Sequence, residues 1–400
     1  MFTINMLKKI LLVIILLVIL GFNTFLNLSA TILPTKNTTS ISIPTAQKIP
    51  WPTEGETAMG ILNIPTIISH GSTIKLPIAS TAKLITALSV LSIKPLSLNQ
   101  SGPIITISPA DVAIYNKYVS EQGSVVKVVN GEKISEYQIL EAMLLPSANN
   151  MADSLAIWAF GSLSNYSTYA NNYLKTLGIN NTHVGLDASG FDPSTTSTAI
   201  DLVKIGEIVM KNPVLAQIVG LSTAYNIPIV NTIKNINFLL GGPENIIGIK
   251  TGNTNQAGGV FISASKITVN NKPNFIITAL LGAPDLYDAM TESNSLITTA
   301  QKDFTTNQIV NTNQSISSYQ LPWGGHINVL SKKPIITTTW LYNSQNIKIN
   351  LKPVKIWSSH QIVGTAIIQQ NSFQNYQTYQ LQLAKKIKPP IWWLLFHISF

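Results

Sequence analysis

The stretch from Ser80 to Leu91 limits the possible folds of this 400-residue chain more than any other. Leu84, Ile85, Leu88 and Leu91 recur at helical spacing, and the residues between them are small or apolar and uncharged, which predicts a helix buried on most sides. Such a helix has to be enclosed by other elements, and the chain supplies them. Helices are predicted over Ile134–Leu145 and Met151–Ala159, separated by Pro146, which cannot continue a helix. Another is predicted over Thr198–Met210, ahead of Asn212-Pro213. Strands follow at Ile246–Thr251, Gly259–Ser265 and Phe275–Leu281, bounded by Asn and Gly turns. The expected architecture is α+β, helices packed on an antiparallel sheet, in one large domain spanning residues 55–305.

Past Gln308 the texture changes to short β-like runs at Ile327–Leu330, Ile335–Trp340, Ile347–Leu351, Ile362–Ile368 and Tyr376–Leu383, which predict a small all-β domain over 308–384. Residues 385–400 are basic and then apolar. Trp392 and Trp393 beside Lys385, Lys386 and Lys388 suit a membrane interface, although the apolar part is too short to span a bilayer. Packing of this segment on the β domain is the equal alternative. At the other end, Lys8 and Lys9 precede the apolar run Ile10–Leu20, so residues 1–30 read as a signal peptide or signal anchor. Residues 31–54, rich in Thr, Ser and Pro, read as a linker. The expected location is extracytoplasmic, with tethering to the membrane surface through the N-terminal segment if it stays uncleaved.

The absence of cysteine removes disulfides, thiol catalysis and Cys-based metal sites together, and neither a metal nor a cofactor is expected. Every permanently basic residue is lysine, and the formal net charge is +9. That charge could favour anionic wall polymers or lipid headgroups. We read it instead as codon bias, since a lysine-for-arginine skew with few acids gives the same sum, and no nucleic-acid partner is predicted.

Three short clusters carry chemistry. Ser80-Thr81-Ala82-Lys83 places a hydroxyl and an amine three residues apart on a predicted helix, a nucleophile within reach of a base. Ser124-Val125-Val126-Lys127 and Ser263-Ala264-Ser265-Lys266 share the spacing, but both lie in β-like runs, where third neighbours point to opposite faces. Ser147-Ala148-Asn149 follows Pro146 in a bend between helices. Lys250-Thr251-Gly252 closes an apolar strand, offering an ammonium and a hydroxyl to a carboxylate, with Gly252 leaving room for a peptide alongside.

In this order and in these contexts the clusters resemble the active-site motifs of penicillin-recognising serine enzymes. The surroundings are similar to the low-molecular-mass penicillin-binding proteins, the serine-type D-alanyl-D-alanine carboxypeptidases of peptidase family S11. Pro77–Leu84, Leu145–Asn150, Asp187–Gly190, Ser197–Ala199, Asn235–Asn237 and Gly248–Gly252 all match stretches of that family in order. The resemblance implies a penicillin-binding, β-lactamase-like transpeptidase fold. It also implies removal of the terminal D-alanine from peptidoglycan stem peptides ending in D-Ala-D-Ala, with β-lactams as covalent inhibitors. Ser80 would be the nucleophile and Lys83 its base, and Ser147 would pass a proton to the leaving group. Asn149, Lys250, Thr251 and Gly252 would bind substrate, and the amides of Ser80 and Asn253 would form the oxyanion hole. Burial and the nearby Lys250 charge are both expected to depress Lys83. Where the family usually has arginine, this chain has Ile200 and the loop Pro284-Asp285-Leu286-Tyr287, so carboxylate recognition must rest on Lys250 and Thr251. A D,D-endopeptidase would use the same residues, and an inactive wall-binding module would keep the fold. A β-lactamase is disfavoured because neither Glu207 nor Glu244 sits in the Glu-x-x-x-Asn context of those enzymes.

Overall fold

The computed structural model describes residues 31–35, 38–40, 49–63, 67–269, 272–302, 305–339, 345–356, 361–370 and 377–396. The signal-like segment 1–30 lies outside these. The chain divides into two compact units, a larger one within 46–304 and a smaller one drawn from both chain ends.

The larger unit is built on a five-stranded antiparallel sheet. Its strands are β1 (Glu56–Ile61), β2 (Ile67–His70), β3 (Ile246–Thr254), β4 (Gly258–Val269) and β5 (Lys272–Ala283), ordered β3-β4-β5-β1-β2. The predicted buried helix is α1, Ala82–Ile93, preceded by a single 3₁₀ turn at Ala79–Thr81. Every residue from Ala82 to Leu91 is buried. Each large aliphatic side chain among them contributes about 1.5–3 kcal/mol from loss of water contact. Around it lie α2 (Pro109–Ser120), α3 (Glu136–Leu144), α4 (Asn149–Phe160), α5 (Leu163–Thr176), α6 (Ala199–Lys211) and α7 (Pro213–Val219). The last helix, α8 (Leu286–Lys302), packs on β4 and β5.

Local chemistry sets many helix starts. Ser108 and Asp111 form a capping box at α2, as do Ser135 and Gln138 at α3. Asn212 accepts from the amides of Val214 and Leu215, so Asn212-Pro213 ends α6 and opens α7 at once. Helix α5 escapes periodicity reading because only Tyr166, Ala170 and Leu174 are buried, a narrow stripe on a polar helix.

The smaller unit carries β6 (Thr305–Val310), β7 (Ser315–Gln320), β8 (His326–Ser331), β9 (Ile335–Thr339), β10 (Gln345–Leu351), β11 (Ile362–Gln370), β12 (Gln377–Leu383) and α9 (Ile391–Phe396). Its main sheet is antiparallel, ordered β7-β8-β12-β11-β10. A strand from the expected linker, Thr38–Ser40, completes the edge beside β10, and Thr31–Ile32 pairs with Val354–Lys355. The linker reading of 31–54 is therefore corrected for these residues. Their Thr and Ile content suits β pairing, and the partner strands leave open backbone groups for them to satisfy. The C-terminal segment also joins this unit, because Ile387 and Trp393 are buried in its core and Trp393 stacks edge-on against Trp323. Ile391 and Trp392 remain exposed. Among the described residues no helix is long and apolar enough to cross a membrane.

Candidate active site

The site starts from a strained turn. Ala79 has φ +44° and Ser147 φ +67°, the left-handed region that non-glycine residues enter at a cost of about 1–3 kcal/mol. Ala79 sets the turn that presents Ser80, and Ser147 sets the bend between α3 and α4. Two glycines permit the packing around the first turn. A Cβ on Gly190, itself at φ +73°, would lie 2.0 Å from the Ala79 carbonyl oxygen, and one on Gly252 would lie 3.1 Å from the Ser80 nitrogen. Strand β3 thus runs tightly past the 3₁₀ turn, which is why Lys250-Thr251-Gly252 needs its glycine.

Lys83 is the one ionisable residue in the buried run of α1. Its Nζ lies 2.8 Å from Ser80 Oγ, 2.7 Å from Asn149 Oδ1 and 3.0 Å from the Ser189 carbonyl oxygen. Burial pushes it down from 10.5 to about 7, against the pull of Asp187 and then Asp153, whose charges favour the ammonium. The repulsion expected between the two buried amines is present. Burial accounts for the low Lys83 value, while the Lys83 charge acts on Lys250, which burial and that charge hold well below its ordinary range. The three partners decide what a neutral Lys83 does. Asn149 Oδ1 and the Ser189 carbonyl can only accept, so the two N–H groups of a neutral amine go to them and its lone pair faces the Ser80 hydroxyl.

Lys250 is buried, and its Nζ donates to the Thr251 carbonyl oxygen at 3.0 Å and to Thr251 Oγ1 at 3.4 Å. Ser147 Oγ is buried and has no hydrogen-bond partner among the described residues, an expense that a structural serine would avoid. Asn253 is exposed on β3, one residue beyond Gly252 and opposite Gly259. Direct contacts therefore join Ser80, Lys83, Asn149 and Gly252. Lys250 joins them through charge, and Ser147 and Asn253 by chain adjacency.

The two rival Ser-x-x-Lys matches are placed otherwise. Ser263 Oγ is bonded to Thr278 Oγ1 at 2.6 Å and Ser293 Oγ at 2.9 Å inside the sheet–α8 layer, with Lys266 exposed. Ser124 and Lys127 are exposed in an irregular loop and not, as expected, in a strand. That loop has a structural task. The Ser124 carbonyl accepts from the Asn149 amide at 2.7 Å, and the Asn150 side chain pairs with both backbone groups of Val126.

A second layer was not singled out from sequence. Asp187 accepts from the amides of Ser189, Gly190 and Asp192, which aims the Ser189 carbonyl at Lys83. Asp153 accepts from the Ala188 amide at 2.9 Å and from the Tyr118 hydroxyl at 2.7 Å, and burial raises it to about 6. The stretch Asp187–Gly190 was visible in the sequence, but its meeting with Asp153 joins segments that no spacing relates.

The family model for D-alanyl-D-alanine carboxypeptidase matches residues 66–284, more than half of the chain. The chain belongs to that family. It is 35% identical over 196 residues to the D-alanyl-D-alanine carboxypeptidase DacB2 of Mycobacterium tuberculosis, covering 47% of this chain and 62% of that protein. It is 30% identical over 203 residues to a D-alanyl-D-alanine endopeptidase of Escherichia coli, covering 49% and 61%. The chain thus spans under two thirds of the length of each of these curated relatives. Among solved structures, a peptidoglycan synthesis regulatory factor (PBP3) from Streptococcus pneumoniae superposes with a TM-score of 0.61 at 19% identity, over 83% of this chain and 99% of that one. At that identity the likeness concerns the fold, which is that of the penicillin-binding proteins, helices on an antiparallel sheet with a following all-β region.

Proposed function

We propose that this protein is a serine-type D-alanyl-D-alanine carboxypeptidase that removes the terminal D-alanine from peptidoglycan stem peptides through an acyl-enzyme on Ser80. The observation that carries this reading is the Lys83 environment: a buried amine near neutrality whose one hydroxyl hydrogen-bond partner among the described residues is Ser80. Lys83 takes the Ser80 proton and the alkoxide attacks the carbonyl of the penultimate D-alanine. The amides of Ser80 and Asn253 receive the oxyanion, a device worth about 3 kcal/mol per donor. Ser147, with its unengaged hydroxyl, passes the proton to the leaving D-alanine, and Asn149 holds the substrate amide. Lys250 and Thr251 bind the terminal carboxylate. That charge would restore the Lys250 ammonium that burial disfavours, so carboxylate binding and Lys250 protonation are coupled. Water then releases the acyl-enzyme, and a β-lactam would acylate the same serine.

Glu207 does not offer a deacylating base of the β-lactamase kind, since its carboxylate lies against Gly60 of β1. The endopeptidase reading draws support from the 30%-identical relative of that name. Action on the wall places the protein outside the cytoplasmic membrane, with residues 1–30 as the tether or export signal. Digestion of purified cross-linked and uncross-linked muropeptides, with products identified by mass spectrometry, tests the proposal. Release of free D-alanine by wild type and not by Ser80→Ala is expected. Cleavage confined to cross-links would support the endopeptidase, and no release from either would refute both.

A further inference from the structure

The net charge of the chain is not spread along it. Residues 305–400 hold eight lysines and not one Asp or Glu, and residues 1–45 hold three lysines and again no acid. All 17 acids fall within residues 46–304, where the remaining fifteen lysines leave a net charge of −2. An even scatter of those acids would put about four into residues 305–400. Codon bias explains lysine in place of arginine, but it does not clear carboxylates from one structural unit and leave them in the other. The positive charge thus lies wholly in the smaller unit drawn from both chain ends, +11 against −2 in the larger one.

The eight lysines of residues 305–400 are all exposed. They lie in the turn after β8 (Lys332, Lys333), on β10 (Lys348), in the turn after β10 (Lys352), on the short strand paired with Thr31–Ile32 (Lys355) and after β12 (Lys385, Lys386, Lys388). Two of them also line a pocket of about 590 Å³, together with Thr378, Tyr379 and Gln380 of β12. The turn that carries them is held in place. Ser331 Oγ, fully buried, donates to the Lys333 carbonyl oxygen at 2.7 Å, and the Tyr379 hydroxyl donates to the Ile336 carbonyl oxygen at 3.0 Å. Two ammonium groups over a concave wall of hydroxyl and amide side chains match phosphates strung along a hydrated chain. A lipid surface is the poorer fit, because the pocket is concave and the described residues that line it include no Leu, Ile or Val.

We propose that the small β unit binds a linear, water-borne polyanion of phosphate groups, with Lys332 and Lys333 at the centre of the site. Binding of this kind is dominated by counterion release, so affinity falls steeply with salt.

The test uses the full chain and polyphosphate of defined length, with phosphatidylglycerol vesicles as the competing surface, across a salt series. Wild type should bind polyphosphate. Lys332→Gln/Lys333→Gln should bind about tenfold more weakly and lose about 1.4 from the slope of log affinity against log salt, two counterions at about 0.7 each. Lys133→Gln/Lys175→Gln removes the same charge from exposed positions in the large unit and should leave affinity and slope unchanged. An equal loss in this control pair would show that only net charge matters and would overturn the site. Absence of polyphosphate binding, or binding to the vesicles alone, would overturn the ligand.

Discussion

Replacing Lys83 by methionine, close in shape but without charge, tests how far burial has shifted this group. In the unfolded chain Lys83 titrates near 10.5, and in the folded protein near 7. Below pH 7 it is protonated in both states and the fold carries the full penalty of a buried ammonium. Above 10.5 it is neutral in both and the penalty is gone. In between, the unfolded chain binds one more proton, so stability rises with pH at about 1.4 kcal/mol per pH unit, to a total of about 5 kcal/mol. Lys83→Met loses that dependence. It also leaves Asn149 Oδ1 and the Ser189 carbonyl without a donor, but that cost does not vary with pH. Lys250 adds in the same direction, because it is less depressed once the Lys83 charge is gone. Urea denaturation of both proteins at pH 7, 8 and 9.5 measures the effect. The stability of wild type relative to the variant should climb by about 3 kcal/mol over that window. A difference that stays constant within about 1 kcal/mol would show that Lys83 is charged throughout, and the proposed base would fall with it.

Lys83→Arg keeps a cation but cannot accept the Ser80 proton, so labelling by a fluorescent penicillin should disappear; labelling at a near wild-type rate would exclude Lys83 as the base. Asp187→Asn removes the carboxylate that most favours the Lys83 ammonium, so the acidic limb of acylation should move to lower pH, and an unmoved limb would confine Asp187 to holding its loop. Lys250→Ala should lower kcat/KM about a hundredfold, equivalent to about 3 kcal/mol for a charge-assisted hydrogen bond. A substrate with an amidated terminus should lose little more in that variant, and a full further loss would point to another carboxylate group. Gly190→Ala drives a Cβ into the Ala79 carbonyl and should abolish penicillin labelling. Gly178→Ala, at φ +72° with open space around it, should cost only about 1 kcal/mol in thermal stability and label normally.

Sequence by itself determined what depends on local order. The apolar period of Leu84, Ile85, Leu88 and Leu91 required an enclosed helix, Pro146 required the bend that carries Ser147, and the short β-like runs past Gln308 announced a β unit. Within one helix, the three-residue step from Ser80 to Lys83 already implied contact. Tertiary structure decided whatever joins distant segments. Asn149 and Ser189 converge on Lys83 from α4 and from the loop before α6, and their being pure acceptors turns the lone pair toward Ser80. Asp187 and Asp153 meet behind it, so the balance that sets Lys83 near 7 is one of burial against charge, and neither quantity exists along a chain. Thr31–Ile32 and Thr38–Ser40 looked like a linker because their partners lie some three hundred residues away. The concentration of charge became legible only once the unit boundary was known, because a sum over 400 residues cannot say which surface carries it.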